Sequence, residues 1–112
     1  MLHEDFDKLV EDALAQLPKV FRKKLSNVVI TVEDLPPRGQ GRDGLLLGIF
    51  HGVPLTEKST FQIALPDRIV IYQKNIEAIC SSEKDIQREI RATLLHELGH
   101  YFGLSEEELH DI

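Results

Sequence analysis

The pattern of apolar residues predicts an α+β fold, on three observations. Residues 3–17 repeat apolar side chains every three or four positions, four short strand-like runs follow between residues 28 and 72, and residues 83–102 return to helical spacing. The runs at 28–33, 45–50, 61–65 and 68–72 make three to four strands, one of them short enough to be an edge. At 112 residues the chain is near the commonest domain size, and a single domain over residues 1–112 is expected.

Phe6, Leu9, Val10, Ala13, Leu14 and Leu17 give the first helix its apolar face, suited to covering a sheet, and Pro18 ends it. Val20, Phe21 and Leu25 predict a short helical turn before Val28-Val29-Ile30-Thr31-Val32-Glu33, whose β-branched residues predict a strand. Residues 34–44 hold two prolines and three glycines without periodicity and read as a loop. Leu45-Leu46-Leu47-Gly48-Ile49-Phe50 is a continuous apolar run, the pattern of a strand covered on both faces, and His51 at its end reads as a surface residue. Phe61-Gln62-Ile63-Ala64-Leu65 predicts the edge strand. Beyond Pro66, Arg68-Ile69-Val70-Ile71-Tyr72 predicts another strand, with Asp67 and Arg68 read as structural charges at its start.

Residues 75–80 predict a helical turn. Ser82 is then the N-cap of a long helix, with Glu83 and Asp85 favourably placed against its N-terminal dipole. Within that helix Ile86, Ile90, Leu94, Leu98 and Tyr101 form an apolar stripe, beside a second stripe of Glu89, Thr93, His96 and His100. Gly103 supplies the residue that tolerates positive φ at a helix end, and Ser105-Glu106-Glu107-Glu108 fits a capping box for a short final helix.

The long helix contains Thr93-Leu94-Leu95-His96-Glu97-Leu98-Gly99-His100-Tyr101-Phe102-Gly103, and with it the spacing H-E-x-x-H. Four positions apart on a helix, His96 and His100 lie about 40° apart in azimuth and one turn apart along the axis, so both imidazoles can reach one ion. Zinc with two imidazole ligands and a third protein donor keeps one position for water, which is the arrangement of a catalytic site. Glu97 is turned about 100° from His96. It thus flanks the ion as a general base for a metal-activated water. The plain alternative is a pair of half-buried histidines bonded to backbone or carboxylates, but two histidines and a glutamate on adjoining faces are costly to bury without a use.

Composition narrows the classes. A net charge of −6 disfavours a phosphate backbone as partner, so no nucleic acid is expected, and Arg22-Lys23-Lys24 reads as a solvated helix end. Cys80 is the single cysteine, which excludes an intramolecular disulfide and suits a reducing compartment; its side chain reads as a small apolar one. No run approaches the roughly 20 apolar residues of a membrane span. The acidic start Met1-Leu2-His3-Glu4-Asp5 is unlike a signal peptide, so a cytoplasmic protein without membrane partners is expected.

Counting on from His96 gives H-E-x-x-H-x-x-G-x-x-E, which resembles the metzincin protease pattern and sets Glu106 where those enzymes carry the third ligand. Metzincins have histidine there, but a carboxylate oxygen is also a zinc ligand. Glu107, His110, Asp111 and water are the rival donors, and no methionine follows to form the metzincin Met-turn.

The fuller resemblance is to the compact bacterial zincin-like metallopeptidase family. It rests on Leu47-Gly48-Ile49-Phe50-His51-Gly52-Val53-Pro54-Leu55-Thr56, on Leu65-Pro66-Asp67-Arg68-Ile69-Val70-Ile71-Tyr72, and on Leu94 to Ser105. The resemblance implies a minimal zincin-like fold: a small mixed β-sheet, an N-terminal backing helix and the HExxH active-site helix below. The function expected is a zinc-dependent metallopeptidase acting on a peptide or protein substrate, with His96, His100 and Glu106 on the metal and Glu97 as base. An extended peptide would pair with the edge strand at residues 61–65. Small domains of this kind lack the second lobe of a full protease cleft, which motivates a second reading, a zinc-containing binding or regulatory module. A third, resemblance to bacterial rRNA-maturation ribonucleases, conflicts with Glu97 directly after the first histidine and with the acidic charge.

Overall fold

The computed structural model describes residues 1–23, 25, 27–38, 46–52 and 67–103. Its elements are α1 (His3–Ala15), α2 (Lys19–Lys23), β1 (Val28–Glu33), β2 (Gly48–His51), β3 (Asp67–Tyr72), α3 (Gln73–Ala78) and α4 (Glu83–Tyr101). The fold is α+β, as the spacing predicts. The expected edge strand at residues 61–65 and the helix after Ser105 lie outside the described residues, as does most of the loop before β2.

The described strands form one mixed sheet in the order β1-β3-β2. β1 runs parallel to β3 with Val28 opposite Asp67, and β2 runs antiparallel with Gly48 opposite Ile71 and His51 opposite Arg68. Ile69, Val70 and Ile71 are wholly buried and Tyr72 nearly so, which makes β3 the strand covered on both faces. The sequence pattern assigns that role to residues 45–50, yet Ile49 and Phe50 are only half-buried. β2 also begins later than expected, at Gly48. Its ladder partner leaves the sheet at Gln73, where α3 starts, so Leu46 has no strand residue opposite it and Leu47 meets only the last residue of β3. Their carbonyls are satisfied instead by the Asn75 amide and the Tyr72 N–H, each at 2.9 Å.

One face of the sheet carries the helices. Phe6, Leu9, Val10 and Ala13 of α1, Ile69 and Ile71 of β3, and Ile86, Ile90, Leu94 and Leu98 of α4 belong to a single buried cluster. α1 stops at Ala15, two residues short of the predicted end, because Pro18 biases the residue before it away from helical geometry; Leu17 remains in the core. Among the described residues no helix is long and apolar enough to cross a membrane.

α4 begins where the sequence places it. Ser82 Oγ accepts from the Asp85 N–H at 3.1 Å, and Asp85 in turn accepts from the Ser81 hydroxyl at 2.8 Å and pairs with Arg88. At the other end Gly103, at φ 79°, turns the chain out of the helix.

The Ser81 hydroxyl first, then the Ser81 N–H and Arg88, hold the Asp85 carboxyl below its ordinary value. Stabilisation of this helix start is therefore present above the unfolded pKa of about 3.9 and is lost as pH falls through the lower folded one. An NMR titration of the Asp85 carboxyl should find its midpoint below about 3.9, and Ser81→Ala should move it upward.

Candidate metal centre

The apolar stripe of α4 faces the core, and this leaves the adjoining stripe along a cleft. On one side the cleft is lined by Leu46, Leu47 and Gly48, on the other by Glu89, Ala92, Thr93, His96 and Glu97, around a volume of about 360 Å³. β2 crosses α4 closely. A Cβ on Gly48 would stand 2.7 Å from Thr93 Cγ2 and 3.0 Å from the Val70 carbonyl oxygen, so only glycine fits without a shift. Two residues on, Phe50 meets Tyr101 edge to face at 5.7 Å.

His96, Glu97 and His100 come together as the spacing predicts, each offering a donor atom within 4.8 Å of the others. The two imidazole rings stand 4.8 Å apart at 80° to one another. Both histidines are half-buried, whereas Glu97 is only 8% exposed. Two nitrogens on one tetrahedral zinc are about 3.4 Å apart, so small side-chain rotations bring this donor set onto an ion. The chemistry of the set fits a divalent cation of borderline softness.

Glu106, Glu107, His110 and Asp111 lie outside the described residues. His51 ends β2 half-buried, and it is not in the cluster. Nor is Asp67, which is buried, its carboxylate filling the space where a Gly52 Cβ would stand. The cleft wall has no motif of its own in the sequence. Leu46 and Leu47 read there as strand, and the signal that could have revealed the crossing was Gly48 inside an apolar run, since an isolated strand glycine often marks close backbone approach.

Residues 25–112 match the family of zincin-like metallopeptidases. Among solved structures the chain is similar to a conserved hypothetical protein from Thermus thermophilus, at 27% identity and a TM-score of 0.64, over 91% of this chain and 94% of that one. No curated protein matches it.

Two stability measurements test the geometry. Gly48→Ala should cost about 1–3 kcal/mol in urea denaturation, and adding Thr93→Ser, which removes the methyl in the way, should recover part of that loss. Leu94→Ala, at a wholly buried position of α4, should cost about 2–5 kcal/mol in the same assay.

Proposed function

The chain belongs to the zincin-like metallopeptidase family, and on that premise we propose that it is a zinc-dependent peptidase with His96 and His100 as metal ligands and Glu97 as general base. Glu106 is the third donor in this reading, three residues after Gly103 in the sequence. The observation that carries the proposal is the convergence of two imidazoles and one carboxylate within 4.8 Å, on the cleft side of a single helix.

A divalent cation at the imidazole pair supplies Lewis-acid polarisation of a carbonyl and lowers the pKa of water. The chain's own residues do the rest. Glu97 takes a proton from the attacking water on its carboxylate and can return it to the departing amine nitrogen. Its low exposure excludes competing solvent and keeps the carboxylate's range of motion small. Leu46, Leu47 and Gly48 form the wall against which an extended peptide lies. The single cysteine and the acidic charge suit a cytoplasmic setting.

Zinc-loaded protein incubated with a peptide library should cleave, and Glu97→Gln should lower the rate about 10²–10⁴-fold while still binding one zinc per chain. His96→Ala should lose stoichiometric zinc by calorimetry. Equal cleavage by wild type and Glu97→Gln would remove Glu97 from the reaction. Chelation separates this reading from the binding module: a catalytic site releases metal with its circular dichroism kept, whereas a structural site unfolds cooperatively.

A further inference from the structure

The cleft extends beyond the metal-binding cluster. Glu89 lines it two turns before His96, about 10 Å along the helix axis. Glu89 is half-buried, and it makes no hydrogen bond or ion pair with a described residue. Its neighbour Arg88 is engaged elsewhere, with Asp85. Between Glu89 and His96 the lining is mainly apolar, formed by Leu46, Leu47, Gly48 and Ala92 with Thr93. A carboxylate with no hydrogen-bond or ion-pair partner among the described residues, in a mainly apolar cleft, suits a cation on an apolar stem, since long basic side chains lay their methylenes along apolar surface and keep the charged head at a polar partner. The local field agrees. Burial first, and then the Glu89 and Asp85 carboxylates, push the nearby Cys80 thiol up.

We infer that Glu89 is a specificity residue that selects peptides carrying a lysine or arginine side chain close to the bond being cut. The inference rests on the peptidase reading for the path of the peptide. At about 3.3 Å per residue of extended chain, 10 Å places that side chain two to three residues from the carbonyl facing His96 and Glu97. A free α-amine is the rival cation, and it would fix the cut a set number of residues from the amino terminus.

The test measures binding apart from turnover. Zinc-loaded Glu97→Gln protein is titrated with an acetylated, amidated alanine-based octapeptide carrying one lysine, scanned through the positions, against the same peptides with norleucine. Lysine should bind about tenfold more tightly at one position only, the preference should fall as salt rises, and it should vanish in Glu97→Gln/Glu89→Gln. Glu89→Lys in the same background should prefer glutamate at that position, which distinguishes recognition from a folding defect. No lysine preference, or one that survives Glu89→Gln, overturns the inference, as does a norleucine peptide with a free amino terminus binding as tightly as the lysine peptide. Cleavage by wild type without any lysine preference sinks the inference and leaves the peptidase reading standing. Lysine-selective binding without cleavage by wild type does the reverse.

Discussion

Burial of Ile86, Ile90, Leu94 and Leu98 against α1 and β3 sets the rotation of α4 about its own axis, and every statement about the site depends on that rotation. Each such side chain contributes about 1.5–3 kcal/mol when fully buried, so the stripe holds the helix far more firmly than any single polar contact along it. A ring nitrogen at the outer radius of a helix, about 6 Å from the axis, swings by roughly 2 Å when the helix turns by 20°. That displacement exceeds the tolerance of a metal–nitrogen bond, near ±0.2 Å, by about an order of magnitude. Core packing thus acts as the aiming device for His96 and His100, although neither belongs to the core.

A second constraint comes from above the helix. β2 is held at its start by the Tyr72 N–H and the Asn75 amide, and it crosses α4 where Gly48 meets Thr93. The missing side chain lets strand and helix approach, and the approach makes the cleft wall out of Leu46 and Leu47. α3 takes part in this without touching the metal-binding cluster. By starting directly after Tyr72 it ends the β3 ladder, freeing the lead of β2 to serve as a wall instead of a strand.

The parts legible in the sequence were those governed by short-range periodicity. The helix from Glu83 to Tyr101, its Ser82 cap, the Gly103 exit, β1 at its observed bounds and the approach of His96, Glu97 and His100 all follow from spacings of one to four residues. Strand order did not, because the parallel pairing of β1 with β3 joins residues nearly forty positions apart and leaves no local trace. The two-sided burial of β3 was assigned to the wrong run for a related reason. An unbroken apolar stretch such as 45–50 shows hydrophobicity on both faces, but only tertiary structure decides whether both faces are covered or one of them lines a cleft.

Glu97 also shows where helical periodicity carries more than a motif match. At 100° per residue its azimuth falls between those of Ile86 and Ile90, about 20° from each, so it occupies the buried face and not the stripe that carries Glu89, His96 and His100. The series 86, 90, 94 calls for an apolar residue at 97, and the chain has an acid there, only 8% exposed. A charge in that register is taken out of water and is tolerated only where polar contacts offset the loss. The helix could have carried its acid on the exposed face at no such cost, but there it would have stood on the far side of the imidazole pair from the wall formed by Gly48. At position 97 the acid stands on the core side of the imidazole pair, and the apolar stripe gives up one position to it.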